Sequence, residues 1–223
     1  MQTTFAAFNG KQIPVDVFTP AADGQFPVLC ALHGSGGLRS AGALQLGELL
    51  ASQGFCVFVP HYFAATDTEW ADVATIWREF PNWLRTISDS LDFAEKHPRA
   101  DPSRIGLVGF SLGAYLSLAL GSQQQRIKAI VDFFGGLSDY FIERLTQLAP
   151  VLILHGEADR IVPVSEAHKV AQVLDQRGLP YEMKLYRNAG HGFQGLDMLD
   201  AAQRAYQFLK QHLGAPANGL RAG

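Results

Sequence analysis

Cysteine is nearly absent from this chain: there are two in 223 residues, Cys30 in "PVLCALHG" and Cys56 in "GFCVFVP", each inside an apolar run. Two such thiols form no disulfide framework, and neither CxxC nor Cys/His metal spacing is present. Both are read as free, buried core residues without a chemical role. Charge is sparse too, with 17% Asp, Glu, Lys and Arg and a formal net charge of -3. No run of basic residues offers the counterion-releasing surface that a phosphate backbone needs, so nucleic acid is excluded as a partner. Long hydrophobic runs are missing as well. No apolar stretch approaches the ~20 residues of a membrane span, and the start, "MQTTFAAFNGKQIPVDVF", has neither a basic n-region nor an apolar h-region. A cytoplasmic protein that binds no membrane is expected. Repeats and low-complexity blocks are lacking, and nothing in the sequence marks a particular oligomeric state.

What the chain does have is 48% hydrophobic residues arranged as short apolar runs alternating with helix-period segments. That order is the signature of a mostly parallel, twisted sheet with helices on both faces, an α/β fold in a single domain over residues 1–213. "QIPVDVFTP" (12–20) belongs to a leading meander, and "FPVLCALHG" (26–34), "FCVFVPHYF" (55–63), residues 105–109, "IKAIVDFFGG" (127–136), "APVLILHG" (149–156) and "YEMKLYR" follow as strands. Helices are expected over 41–54, 69–97, Leu112 to about Leu120, "SEAHKVAQVLDQRG" and "MLDAAQRAYQFLKQHL". In the second of these, Val73, Ile76, Trp77, Phe80, Leu84, Ile87 and Leu91 describe one face, and Pro81 is expected to break or restart the helix. Only "YFIERLTQL" lies between the strands ending near Gly136 and beginning near Pro150, too little for a separate cap domain. The tail, 214–223, is small, polar and Gly/Pro-containing, and is expected to fray.

One serine stands between two glycines in "VGFSLGAYL". A Gly-x-Ser-x-Gly pentamer arises by chance in roughly one chain in ten of this composition, so its context must carry the argument. Ser111 sits where a strand turns straight into a helix. There the flanking glycines let the two elements pack closely, and the helix N-terminus favours a developing anion. An ordinary N-cap serine is the plain alternative. A serine nucleophile needs a base, and the base needs a carboxylate to orient it. In the order Ser, acid, His, the loop "HGEADRIVP" supplies Glu157 and Asp159, and "NAGHGF" supplies His191. Asp132 is a further carboxylate, but it lies within a strand rather than beyond its end. Among seven histidines, His33 and His155 close strands and read as structural, while His97, His168 and His212 read as solvated. The oxyanion donors are expected to be the N–H of Leu112, after the nucleophile, and a donor from "HGSGG", Ser35 first and Gly36 second.

With these pieces in order ("LHGSGG", "LASQGFCVFVPHYF", "DPSRIGLVGFSLGAYLSLAL", "IVDFFGG", "LILHGEADRIVPVSEA" and "AGHGF"), nearly the whole chain resembles the dienelactone hydrolase branch of the α/β-hydrolase superfamily. The resemblance implies the α/β-hydrolase fold, no cofactor or metal, and Asp159 rather than Glu157 as the partner of His191. Two positions depart from the family pattern: Ser111 stands where dienelactone hydrolases carry cysteine, and Gly34 where they carry glutamate. The expected activity is therefore hydrolysis of carboxylic esters or small lactones through an acyl-enzyme on Ser111. A small peptidase or thioesterase with the same triad, and a non-catalytic binding protein on the same fold, are the alternatives. Trp70, Trp77, Phe80, Trp83, His61 and Tyr62 are candidate pocket residues beside a plain core reading, and Arg78 and Arg85 are candidate carboxylate binders beside a solvated one.

Overall fold

The computed structural model describes residues 1–38 and 43–214. Eight strands form one sheet in the order β1-β2-β4-β3-β5-β6-β7-β8. They are β1 Gln2–Ala6, β2 Gln12–Phe18, β3 Phe26–Leu32, β4 Cys56–Pro60, β5 Ala100–Phe110, β6 Ile127–Phe133, β7 Val151–Gly156 and β8 Tyr181–Tyr186. β1 and β2 pair antiparallel with each other, and β2 with β4; every pair from β4 to β8 is parallel. The apolar runs follow from this position. Every residue of β3, β4 and β7 is buried because helices cover both faces, whereas β2, nearer the edge, alternates buried and half-buried side chains.

Among the described residues six α-helices, α1 Ala43–Ser52, α2 Val73–Glu95, α3 Leu112–Gly121, α4 Asp139–Arg144, α5 Ser165–Arg177 and α6 Gly195–Leu213, and a short 3-10 helix, Tyr62–Thr66, complete the fold. The core is split by the sheet. Trp83, Ile87 and Leu91 of α2, Leu116 of α3 and Val170 and Leu174 of α5 pack on one face, and Leu50 of α1 with Ala205, Phe208 and Leu209 of α6 on the other. Cys30 and Cys56 are both buried and free, and burial pushes each thiol up to about 12, which makes them inert. Between β6 and β7 only α4, six residues long, stands outside the sheet. Among the described residues no helix is long and apolar enough to cross a membrane. Beyond Gly214, the tail expected to fray lies outside the described residues.

Pro81 does not do what the sequence suggests. α2 runs unbroken for 23 residues with Pro81 inside it. Asp72 caps its start, its side chain accepting from the Thr75 N–H at 2.8 Å, so the helix begins later than residue 69. Pro81 is exposed, and the buried stripe of Trp83, Leu84, Ile87, Leu91 and Ala94 continues past it. Burial of that stripe outweighs the cost of one missing hydrogen bond on the solvent side.

Candidate active site

Five neighbouring parallel strands, β3, β5, β6, β7 and β8, send their carboxyl-terminal loops to one edge of the sheet, and the candidate residues stand on those loops. Ser111 follows β5 directly and has φ 53° and ψ -117°, a left-handed region that a residue with a Cβ enters at a cost of about 1–3 kcal/mol. The turn is held from both sides. The Ser111 N–H donates to the Phe133 carbonyl at 2.9 Å, and the Ser111 carbonyl accepts from Ala114 and Tyr115 at 2.9 and 3.1 Å. The flanking glycines are required. A Cβ on Gly109 would strike the Gly113 carbonyl and the Ala114 backbone, and one on Gly113 would strike the carbonyls of Leu32 and His33. In the first turn of α3 the Leu112 N–H has no intrahelical acceptor.

The loop after β3 lies against this serine. A Cβ on Gly34 would stand 3.3 Å from the Ser111 Cβ and 3.9 Å from its Oγ, which brings "HGSGG" alongside the hydroxyl. The loop is fixed by its neighbours. His33 stacks on Tyr62 with centroids 4.1 Å apart, the Tyr62 hydroxyl donates to the His33 carbonyl at 2.6 Å, and His33 Nδ1 bonds the Gly34 carbonyl at 2.8 Å. The Ser35 carbonyl accepts from the Ala71 N–H at 2.9 Å, leaving half-buried Ser35 and Gly36 at the turn. Burial pushes the His33 imidazole down to about 4, so it is a neutral structural group at physiological pH.

Asp159 and His191 meet. His191 Nδ1 lies 2.8 Å from Asp159 Oδ2, and Asp159 Oδ1 accepts from the Ile161 and Val162 N–H groups at 2.8 and 2.9 Å. The carboxylate is buried, while the imidazole side chain keeps 22% of its surface exposed. The two loops are sewn together by backbone bonds from Glu157 to Tyr186 and from Ala158 to Ala189, at 2.9 and 3.0 Å. Gly156 permits this approach, since a Cβ there would strike the carbonyls of Ala189 and Gly190. Glu157 is exposed, with no bond from its carboxylate to a histidine among the described residues, and Asp132 bonds the Gly135 N–H at 2.8 Å instead.

This geometry stands on a chain whose residues 13–213 match the family model described as "Dienelactone hydrolase family". The chain belongs to the dienelactone hydrolase family. Among curated relatives it is 23% identical to the "Uncharacterized peptidase YtmA" of Bacillus subtilis, over 91% of this chain and 90% of that protein. It is 23% identical to a "Carboxymethylenebutenolidase homolog" of Xenopus tropicalis, over 66% of this chain and 62% of that protein. Among solved structures, a dienelactone hydrolase-like promiscuous phosphotriesterase from metagenomic libraries superposes with a TM-score of 0.81 at 18% identity, covering 96% of this chain and 99% of that one. The fold is thus that of an α/β-hydrolase, in a family of hydrolases.

One residue near the imidazole, Phe134, escaped the sequence reading. Phe134 has φ 45°, and its ring meets the His191 ring edge-on at 4.8 Å. The turn that carries it touches both candidates, because Phe133 accepts from Ser111 and Phe134 packs on His191. The doubled aromatic before two glycines in "FFGG" is the signal in the sequence. His155 is buried, with Nε2 2.9 Å from the Val162 carbonyl and 3.5 Å from Asp159 Oδ2. It props the loop that holds the acid, and burial lowers its basicity.

The candidate pocket residues disperse. Trp83 and Tyr62 are core, His61 bonds Asp16 at 2.7 Å, and Phe80 leans on Phe141. Arg78 bonds Glu79, and Arg85 lies over the Phe8 ring. His97 and His212 are half-buried against Phe58 and Phe208 rather than solvated, while His168 is exposed. Trp70 is exposed, and Trp77 lines a cavity of about 380 Å³ between α2, α3, α4 and α5. Neither Ser111 nor His191 lines that cavity.

Proposed function

We propose that the protein is a serine hydrolase that cleaves carboxylic esters or small lactones through an acyl-enzyme. The observation that carries this reading is the 2.8 Å contact of His191 Nδ1 with buried Asp159, on loops adjacent to the strained Ser111 turn. His191 Nε2 takes the Ser111 hydroxyl proton as Oγ attacks the ester carbonyl carbon. The negative charge that develops on the carbonyl oxygen is met by the N–H groups of Leu112 and Ser35. Collapse expels the alkoxide, which takes the proton from His191 and leaves as alcohol. Water then repeats the sequence on the acyl-enzyme, giving the carboxylic acid and free Ser111. Asp159, anchored by two backbone donors, keeps the Nδ1 proton on His191 and stabilises the imidazolium. No step calls for a cofactor or metal.

The test is turnover of p-nitrophenyl acetate and butyrate together with labelling by a fluorophosphonate probe. Wild type should turn over and label, and Ser111→Ala should do neither; labelling that persists in Ser111→Ala would overturn the assignment. The Bacillus relative's name favours a second reading, amide-bond cleavage by the same machinery. Competing ester, thioester and aminoacyl substrates, ranked by kcat/KM, separates the two.

A further inference from the structure

The loop after β6 leads from the catalytic imidazole to a second site. Phe134 faces His191, Gly135 is pressed towards the Ser111 carbonyl, and Gly136 lies under the Tyr115 hydroxyl and the Glu166 carboxylate. Ser138 and Asp139, next along the chain, line the cavity of about 380 Å³. From the opposite side, Ile161 and Val162 line it as well, and their N–H groups are the ones that hold Asp159. Tyr115 is one helical turn from Ser111. The cavity is therefore built partly from the segments that carry Ser111 and Asp159, and from the continuation of the loop that packs on His191.

Its chemistry is specific. Trp77 and Tyr140 bring aromatic surface to its rim, exposed by 73% and 59%, and Tyr115 forms an inner wall. Its charged lining is two carboxylates, Asp139 and Glu166, and one ammonium, Lys169. Lys169 Nζ is bound to Asp139 Oδ1 at 2.6 Å. Glu166 joins no ion pair among the described residues and holds only the Tyr115 hydroxyl, at a long 3.4 Å. Lys169, held by Asp139, also attracts Glu166 through space, and the Arg144 guanidinium already lies over the Tyr140 ring. Two carboxylates against one ammonium still leave the cavity net negative beside Trp77, which suits a positively charged nitrogen on an apolar body. A carboxylate substituent would meet repulsion from Glu166. The volume lies at the small end of ligand pockets, which suits one substituent rather than a whole substrate.

We propose that this cavity is a specificity subsite for a cationic, alkylammonium-type substituent of the substrate, with Glu166 as its anionic anchor and Trp77 as an aromatic wall. This rests on the esterase reading of Ser111. Two matched pairs of esters test it. One pair is p-nitrophenyl 4-trimethylammoniobutyrate against its carbon isostere p-nitrophenyl 5,5-dimethylhexanoate; the other is acetylcholine against 3,3-dimethylbutyl acetate, which moves the charge to the alcohol side.

In wild type one pair should favour the cation by about tenfold in kcat/KM, and p-nitrophenyl monoglutarate should be the poorest of the acyl series. Glu166→Gln should bring the ratio of that pair near unity, and Trp77→Ala, at an exposed position that folding does not need, should lower it several-fold. A preference absent from both pairs, or one that Glu166→Gln leaves unmoved, overturns the proposal; should Glu166→Gln fail to fold, Trp77→Ala decides in its place. Calorimetric binding of phenyltrimethylammonium to the Ser111→Ala protein, weakened by a second change at Glu166, is read without turnover. No binding of phenyltrimethylammonium to the Ser111→Ala protein, with ester hydrolysis by wild type intact, sinks the subsite alone, whereas hydrolysis that survives Ser111→Ala sinks the esterase reading and leaves the subsite standing.

Discussion

Asp132 makes a stability prediction with a definite sign. It is fully buried at the end of β6, Oδ1 accepts the Gly135 N–H, and Oδ2 has no partner among the described residues. Burial pushes its carboxyl up to about 7, against the lowering effect of that one N–H. The folded protein therefore holds a proton there that the unfolded chain releases near pH 4. Stability from this group is present below the unfolded value and is lost as pH rises through the folded one. Between pH 5 and 7 the loss is on the order of 2 kcal/mol, the slope easing as the group titrates near pH 7. Asp132→Asn keeps the acceptor for Gly135 and removes the titration, and any cost of its unpartnered amide is independent of pH. The difference in unfolding free energy, variant minus wild type, should climb by about 2 kcal/mol between pH 5 and 7. In melting temperature that is roughly 4–8 °C for a chain of this size. Urea denaturation of both proteins across pH 4–8 measures it. A flat difference curve, or one that falls with pH, would refute the reasoning about this carboxyl.

Asp159→Asn should keep the Ile161 and Val162 donors satisfied but present an amide to His191 Nδ1, fixing the wrong tautomer; kcat on p-nitrophenyl acetate is expected to drop about 10³–10⁴-fold, with Glu157→Gln close to wild type. Pro81→Ala loses no packing at an exposed site and restores a helical N–H, so stability should rise by roughly 1–3 kcal/mol in thermal denaturation; an unchanged or lower melting temperature contradicts the view that Pro81 is merely tolerated. His33, pushed down to about 4 by burial, has the opposite sign to Asp132: its contribution is complete above pH 6.5 and lost as pH falls towards 4, on the order of 3 kcal/mol. Relative to His33→Gln, wild type should weaken by that amount over this window, and parallel acid profiles would count against it.

What could be read in the sequence and what could not divides along physical lines. β3, β4 and β7 are legible because burial on both faces demands uninterrupted apolar runs. Asp159 and His191 are legible as neighbours because β7 and β8 pair in parallel, so the loops leaving their carboxyl ends must meet. β1, five residues with one buried side chain, carries no such pattern of its own. Pro81 misleads because local propensity is weighed without knowing which side of α2 faces solvent. The bond from His61 to Asp16 joins residues 45 apart in sequence, and no local rule reaches that far. Phe134 is hidden for a different reason: its positive φ is imposed by the Asp132–Gly135 bond and the pairing of Phe134 N–H with the Leu154 carbonyl, which are tertiary facts.

The two positions that set this chain apart within the resemblance are in contact, and that makes them one difference rather than two. A side chain at residue 34 would begin 3.3 Å from the Ser111 Cβ and 3.4 Å from the Phe110 carbonyl, tighter than ordinary van der Waals contact. The Ser111 turn cannot yield to it, because Gly109 and Gly113 already press against the α3 backbone and the end of β3. Glycine at 34 thus leaves the hydroxyl without a side chain beside it from this loop, as the proposed activation of Ser111 by His191 requires. Gly34 does not have a positive φ, so alanine fits its backbone and the fold should persist. The added methyl must instead be absorbed by a shift of a few tenths of an ångström in Ser111 or the "HGSGG" loop. Displacements of that order between a nucleophile and its oxyanion donors cost roughly tenfold in rate. Gly34→Ala is therefore expected to lower kcat/KM on p-nitrophenyl acetate about tenfold and to slow fluorophosphonate labelling alike, with the melting temperature within about 3 °C of wild type. Undiminished labelling in that variant would show that residue 34 does not govern the geometry at Ser111.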